Sequence, residues 1–322
     1  MTDQPELSVV IPAMNEEDNV PVMHQRLIAA LEPAVNSFEV VWVDDGSSDG
    51  TWGRISELAA ADPRVRGLSF SRNFGHQAAV TAGIDAARGR AVVVIDADLQ
   101  DPPEVIPEMV AKWREGYEVV YGQRADREGE TWFKKASAAA FYRTLRRFAH
   151  IEIPLDTGDF RLVGPKALAA FRSLPEHNRF IRGLVSWLGF SQVAVRFHRQ
   201  PRLKGETKYP LRIMLKLALS GFTSFSFVPL RFATWTGATV AIFAPCYLVL
   251  RLILWATGTL PFGSTGLVAA IFFLAGVQLL AMGALGEYLA RVFDEVTRRP
   301  LYLVNDRTDG DAAVVPPPRS IG

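Results

Sequence analysis

The chain of 322 residues has a single cysteine, Cys246. No internal disulfide can form, and because Cys246 lies in an apolar run it reads as an inert thiol. Charge of one sign is also missing. Lys and Arg number 35 against 34 Asp and Glu, a formal charge of +1, so nothing global points to nucleic acid. The opening Met1-Thr2-Asp3-Gln4-Pro5-Glu6 is acidic and runs straight into a strand-like segment. It does not read as a signal peptide, and the N-terminal part is expected in the cytoplasm. Two phosphate-cradling signatures are absent as well. No Gly-x-Gly-x-x-Gly follows the first strand-like run, which argues against a dinucleotide oxidoreductase, and there is no Walker A run.

Apolar residues are abundant, at 49% with a mean hydropathy of +0.11, and the surplus is concentrated near the C-terminus. The length allows about two domains. The most informative stretch is Val92-Val93-Val94-Ile95-Asp96-Ala97-Asp98-Leu99-Gln100-Asp101-Pro102-Pro103. A β-branched run that stops in acids reads as a strand buried on both faces, with Asp96 and Asp98 at its carboxyl end. Open α/β sheets place their ligands at that edge. One carboxylate there can accept from a ligand hydroxyl while the other meets a hard divalent cation, which needs oxygen ligands and commonly bridges substrate phosphates. The competing reading is an acidic turn that caps the next helix at Asp101-Pro102.

The same alternation recurs along residues 7 to 125. Strand-like runs at Leu7–Ile11, Phe38–Val43, Val65–Phe70, Val92–Ile95 and Glu118–Tyr121 alternate with helical patterns of 10 to 15 residues, so βαβ units and a parallel sheet are expected. The polar signals after these runs converge on one edge: Asn15-Glu16-Glu17, Asp44-Asp45-Gly46-Ser47-Ser48-Asp49-Gly50, Ser71-Arg72-Asn73-Phe74-Gly75-His76, the acids at 96–101, and Gly122-Gln123-Arg124. Acids without a glycine phosphate loop suggest a nucleotide held by base and ribose on carboxylates, with its diphosphate held by a metal. For Asn15, Ser47 and Asp49, turn chemistry and helix capping compete with ligand contact.

Four ordered motifs carry a resemblance: Val10-Ile11-Pro12-Ala13-Met14-Asn15-Glu16-Glu17, Val43-Asp44-Asp45-Gly46-Ser47-Ser48-Asp49, Asp96-Ala97-Asp98-Leu99-Gln100-Asp101-Pro102 and Thr157-Gly158-Asp159-Phe160-Arg161. Together they resemble family 2 glycosyltransferases. Among these they resemble the polyprenyl-phosphate type, the dolichol-phosphate mannose synthases and, more closely, the bacterial bactoprenol glucosyltransferases. The resemblance runs from residue 7 to about 304. It implies an α/β, Rossmann-like nucleotide-diphospho-sugar transferase (GT-A) domain over residues 1–207.

The resemblance also implies roles for single residues. Pro12, Asn15 and Glu16 line the nucleotide pocket, Asp45 reads the base, Asp96 with Ala97 lies against the ribose and diphosphate, and Arg124 faces the phosphates. Asp98, with Gln100, holds Mg²⁺ or Mn²⁺. Asp159 matches the family's candidate base, in a segment that reads as having no strand to bury it. A phosphate monoester acceptor is already mostly dianionic at pH 7, so Asp159 is open between base and positioning group. Arg202 and Lys208, in the basic loop Arg199–Tyr209, match positions that meet the lipid phosphate or the donor diphosphate.

Beyond the catalytic part, Asp126–Glu130 reads as a mobile charged break. Thr131–Ala149 reads as an amphipathic helix with Arg143, Arg146 and Arg147 on one face. Residues 208–230 are expected to form an interfacial amphipathic helix, with Leu211, Leu215, Leu217 and Leu219 against Arg212 and Lys216. Residues 231–291 read as a two-helix transmembrane hairpin with spans at about 232–256 and 267–289, each long enough for a ~30 Å hydrocarbon core. Arg231, Arg291, Arg298 and Arg299 put both termini in the cytoplasm by the positive-inside rule, and Arg251 is expected to snorkel to the outer interface. Residues 292–322 are expected to be a cytoplasmic tail, disordered from Asp306 onward.

The expected activity is an inverting transfer of one hexose from a nucleotide diphosphate sugar, first of all UDP-glucose, to a polyprenyl (undecaprenyl) phosphate at the bacterial inner membrane. Two spans are too few to line a transport path and a Gln-x-x-Arg-Trp signature is absent, which points to one sugar per turnover. The alternatives are another donor, GDP-mannose or a UDP-amino-sugar, or a catalytically silent nucleotide-sugar-binding membrane scaffold. Expected partners are the donor, the lipid acceptor and membrane lipid, with self-association into a homo-oligomer left open.

Overall fold

A computed structural model describes residues 4–125, 157–176, 179–199, 228–258, 264–297 and 299–310. The expected strands all form: β1 (Leu7–Ala13), β2 (Phe38–Asp44), β3 (Val65–Phe70), β4 (Ala91–Val94) and β5 (Val119–Arg124). Between them lie α1 (Asn19–Leu31), α2 (Thr51–Ala61), α3 (His76–Ala86) and, after a 3-10 turn at Pro103–Val105, α4 (Ile106–Arg114). The chain continues through β6 (Thr157–Val163), α5 (Pro165–Ser173), α6 (Ile181–Trp187) and β7 (Gln192–Phe197). It then forms two long helices, α7 (Val228–Ala256) and α8 (Ser264–Thr297), and closes with β8 (Val304–Arg307).

Among the described residues, eight strands make one sheet in the order β7-β5-β6-β4-β1-β2-β3-β8. Its centre is parallel, with β1 between β4 and β2 and β3 beyond β2, as the alternating pattern predicts. The sheet as a whole is mixed. β6 runs antiparallel to both β4 and β5, and β8 runs antiparallel to β3. Two expectations are corrected here. The segment around Asp159 is a central strand, not a strandless stretch, and the first two residues of the expected disordered tail, Asp306 and Arg307, lie in an edge strand, Val304–Arg307. The first mixes Asp159 and Arg161 with apolar residues and the second is short and mostly polar, so neither shows the apolar run that marks the parallel strands. Their pairing comes from the sheet edges that accept them.

Side-chain alternation divides the core into two layers. Val9, Ile11, Val40, Trp42, Val93 and Ile95 face one layer with Met23 and Leu27 of α1, Ile55 of α2 and Met109 of α4. Val10, Val41, Val43, Val92 and Val94 face the other, with α3, α5, α6 and Tyr302. Valines on consecutive positions of β4 are therefore buried on both faces, which a strand covered by helices on both sides requires. The packed sheet gives its carboxyl edge a rigid floor.

The helices α7 and α8 are longer than the expected spans and contact each other. Phe273–Thr297 is long and apolar enough to cross a membrane by length and composition. Many large apolar side chains on the pair are exposed, among them Trp235, Phe243, Leu279, Leu289 and Phe293. The expectations at 126–149, for the basic loop from residue 200 with Arg202 and Lys208, and for the interfacial helix up to residue 227 lie outside the described residues, as does the Arg251 side chain.

Candidate active site

The antiparallel β6 explains how Asp159 reaches the acids that follow β4. Val94 pairs with Arg161, so the register carried two residues further brings Asp96 opposite Asp159. His76, the first residue of α3, bridges them. Its Nε2 lies 3.1 Å from Asp159 Oδ2 and 3.6 Å from Asp96 Oδ1. Arg182 of α6 closes the other side of Asp159, donating from Nε at 2.9 Å and from Nη2 at 3.4 Å. Gln77 Nε2 adds a 3.4 Å contact, and its own Oε1 accepts from Ile181 N at 3.0 Å, which ties α3 to α6. Below, the buried Arg161 donates to Gly158 O at 2.9 Å and pins the start of β6.

Charge in this cluster follows from burial set against pairing. Burial raises the Asp159 carboxyl, but the His76 hydrogen bond and the Arg182 guanidinium outweigh it and hold the group well below the usual carboxylate range. For His76 burial favours the neutral ring, yet the Asp159 hydrogen bond and the Asp96 charge push its pKa up to about 9. At neutral pH the pair is therefore imidazolium and carboxylate. Asp159, 5% exposed and ion-paired on two sides, is a poor proton acceptor.

A second cluster flanks the first. Asp101 is 1% exposed, with Arg199 Nε 3.9 Å from its Oδ1. Burial and the neighbouring Asp96 push its pKa up to about 6. Arg124 ends β5 opposite Phe197 of the parallel β7, so Arg124 and Arg199 emerge at the same edge, and each charge is felt by the other. Three buried polar atoms here have no hydrogen-bond partner: Asp96 Oδ1, Asp101 Oδ1 and Arg124 Nε. Buried polar atoms are usually satisfied, so unmet acceptors and a donor converging on one crevice mark where a polar ligand would bind. Leu99, between them, has φ 58°. A bulky residue in the left-handed region is uncommon, and such strain concentrates at ligand sites.

The predicted nucleotide residues occupy the same edge. Pro12 is buried in β1 opposite Val43. Asn15, at φ 57°, accepts from Ser48 N through Oδ1 at 2.9 Å, while its own N donates to Ser47 Oγ at 2.9 Å. Glu16 N donates to Thr51 Oγ1 at 2.9 Å, and Asp49 Oδ1 accepts from Thr51 N at 3.0 Å. Asn15, Ser47 and Asp49 thus carry the turn and capping contacts that zip the β1 and β2 loops together. Asp45, 3% exposed, accepts from Phe74 N at 2.7 Å and from Gly75 N at 3.0 Å. Ala97 is buried, Asp98 and Gln100 are half-buried, and Gln100 N donates to Asp98 Oδ1 at 3.2 Å.

The donor set around 96–101 is all hard oxygen, which suits Mg²⁺ or Mn²⁺. Among the described residues no group of three His, Cys, Asp or Glu side chains is arranged to hold a metal. Few protein ligands fit a cation that completes its shell with waters and substrate phosphates. Sequence reasoning gave no role to His76, Arg182 or Arg199, and read Asp101 only as a helix cap. His76 did follow a strand-like run at this edge, a signal that could have found it, whereas Arg199 follows β7, a strand that the sequence reading did not identify. Arg182 lies on a helix whose sequence carries no such signal.

The site is thus an α/β sheet edge with acids after β4 and cations from β5, α3, α6 and the end of β7, and the class of protein it belongs to is a glycosyltransferase. The chain belongs to Glycosyl transferase family 2, matched over residues 8–171. It is 49% identical over 299 residues to the uncharacterized glycosyltransferase YkcC of Bacillus subtilis, covering 92% of each chain. It is 38% identical over 301 residues to the prophage bactoprenol glucosyl transferase homolog of Escherichia coli K12, covering 92% of this chain and 98% of that one. The mannosyltransferase PcManGT of Pyrobaculum calidifontis, solved with GDP-Man and Mn²⁺, superposes over 92% of this chain and 87% of its own, with a TM-score of 0.46 and 17% identity.

Proposed function

We propose that the chain is a membrane-anchored, divalent-metal-dependent inverting glycosyltransferase that moves one hexose, glucose from UDP-glucose, onto a polyprenyl phosphate. The observation that carries this is the crevice itself. Buried oxygens of Asp96 and Asp101 that accept no hydrogen bond, and an Arg124 Nε that donates none, cluster with the His76 and Arg199 cations, an arrangement that suits sugar hydroxyls and phosphate oxygens side by side. The likeness to proteins named bactoprenol glucosyl transferases supports the acceptor class. The length and apolarity of Phe273–Thr297 support membrane attachment.

In the reaction, an oxygen of the acceptor phosphate attacks the anomeric carbon as the bond from that carbon to the diphosphate breaks, and the nucleotide diphosphate leaves. The acceptor is already dianionic, so no proton has to be removed. That agrees with an Asp159 locked between Arg182 and His76. Its part is to fix those two cations where negative charge is redistributed, a preorganised electrostatic role. Asp98, with Gln100 and the unmet Asp96 oxygen, would hold Mg²⁺ or Mn²⁺, which neutralises the leaving diphosphate. Arg124 and Arg199 meet phosphate oxygens. Arg202 and Lys208 take the lipid phosphate at the membrane face.

A panel of radiolabelled UDP-glucose, GDP-mannose and UDP-N-acetylglucosamine, each incubated with polyprenyl phosphate, tests the reading. Label from UDP-glucose should pass into extractable lipid. Transfer from another donor alone would replace the sugar, and binding without transfer from any donor would favour the scaffold.

A further inference from the structure

The last strand of the sheet is also the last described part of the chain. After α8 ends at Thr297, Tyr302 stacks on Phe70 with ring centroids 5.1 Å apart and 13° between planes. Leu303 O then accepts from Ser71 N at 3.0 Å, and β8 runs antiparallel down β3 from Val304 opposite Phe70 to Arg307 opposite Leu68. Thr308 exchanges two bonds with Gly67, N to O at 3.1 Å and Gly67 N to Oγ1 at 2.8 Å. Asp309 accepts from Arg66 Nη2 at 3.0 Å. Backbone, ring and ion-pair contacts thus fasten residues 302–309 to β3 from Arg66 to Phe70.

What β3 leads into makes this attachment functional. Phe70 meets Phe74 edge-on at 5.7 Å, and Phe74 is capped by the Arg72 guanidinium 4.0 Å above its ring. Phe74 N and Gly75 N are the two donors on Asp45. Gly75, at φ +100°, turns the chain into α3, and the next residue is His76, which sits on Asp159 and Asp96. The loop also leaves no slack against β2, since a Cβ at Gly46 would lie 2.5 Å from Arg72 C. A single row of contacts runs from Tyr302 through Phe70 and Phe74 to Asp45 and His76.

We infer that residues 302–309 are a strap that sets the Ser71–His76 loop in its substrate-binding shape, with Tyr302 as a positioning residue for the donor end of the crevice. The inference rests on the proposed function for what the loop binds, a nucleoside diphosphate, but not for the strap itself. Because β8 begins at the crevice edge, only 298–301 separate the end of α8 from Tyr302. Thr297 and Tyr302, five residue steps apart, are at most about 18 Å from each other, so the strap also holds the crevice edge that close to the end of a long apolar helix. A lipid phosphate at that level would need only a short rise to meet the site. Tyr302 is well suited to this duty, with a 6% exposed ring and a hydroxyl kept protonated by burial beside Asp85, 3.5 Å away.

The test uses full-length protein in detergent and two variants, Tyr302→Ala and Tyr302→Phe. Amide hydrogen exchange without ligand reads the strap directly. In Tyr302→Ala the amides of Phe74 and Gly75 should exchange about tenfold faster while those of Val10 and Val93 in the central strands keep their protection. Tyr302→Phe, which keeps the stacked ring, should match the parent. Binding of UDP with Mn²⁺ should weaken about tenfold in Tyr302→Ala, and the donor KM should rise similarly with kcat within about threefold. Unchanged exchange at Phe74 and Gly75 would overturn the inference, and so would a loss of protection spread evenly over the core, which would make Tyr302 merely structural. If the parent protein binds no UDP, the proposed function fails, while the exchange comparison still decides the strap.

Discussion

Asp159→Asn removes one charge and almost no volume from the centre of the crevice. Asp159 is 5% exposed, and its oxygens serve Arg182 at 2.9 Å and His76 at 3.1 Å. Breaking a buried ion pair costs about 3–5 kcal/mol because the abandoned partner stays desolvated. Here the partners are partly open to solvent, at 27% for Arg182 and 42% for His76, and water will screen them. The cost should therefore fall to about 2 kcal/mol. For a catalytic domain of this size that corresponds to a melting temperature lower by about 4–8 °C. Donor affinity should change little, whereas kcat should fall by about 100-fold or more, since Arg182 and His76 lose the anchor that aims them. Differential scanning fluorimetry, calorimetry with UDP and Mn²⁺, and initial rates measure the three effects separately. Arg182→Met should act in the same direction, and the double variant should lose less than the sum of the singles. An Asp159→Asn protein that melts within 1 °C of the parent and keeps its kcat would refute the reasoning.

Three further outcomes are expected. Asp98→Ala should abolish transfer and weaken donor binding while leaving the melting temperature within about 2 °C; full activity of this variant, or of the parent protein in excess EDTA, would remove the metal. Lys208→Ala should raise the KM for polyprenyl phosphate by one to two orders of magnitude, as expected for a charge-assisted hydrogen bond of roughly 1.5–3 kcal/mol. Donor affinity measured without acceptor should stay constant, and its loss would move the basic loop to the diphosphate site. The third outcome concerns pH. The folded-state pKa of His76 is raised from 6.5 to about 9, so its contribution to stability is full below about pH 6.5 and is lost as pH rises through 9. Melting temperature should therefore fall more steeply across that window in the parent than in His76→Gln; parallel curves would show that the imidazolium is not held by Asp159 and Asp96.

The parallel half of the fold was legible because buried parallel strands announce themselves. The valine runs of β1, β2 and β4 and the acids after them located the crevice before any coordinates. The two antiparallel strands were not legible, since Thr157–Val163 mixes Asp159 and Arg161 with apolar residues and Val304–Arg307 is mostly polar. Each is specified by the edge it joins, and pairing across about 70 or 240 residues leaves no local periodicity. The acids of the site followed from strand ends and from resemblance. Its cations were harder, because Arg182 arrives from a helix and His76 gains its meaning only when β6 reverses direction and brings Asp159 beside it. For the same reason Asp159 looked like a free carboxylate in the sequence and proved to be an ion-paired one.

The central claim is that one hexose passes from UDP-glucose to a lipid phosphate with inversion at the anomeric carbon. Purified protein, UDP-glucose, Mn²⁺ and polyprenyl phosphate can be followed together for UDP released and for the product extracted into organic solvent, whose anomeric configuration is read by NMR. One UDP per lipid-linked hexose, in the β configuration, is the predicted result. UDP released without lipid product, more than one sugar per lipid, or an α-linked product would contradict the account.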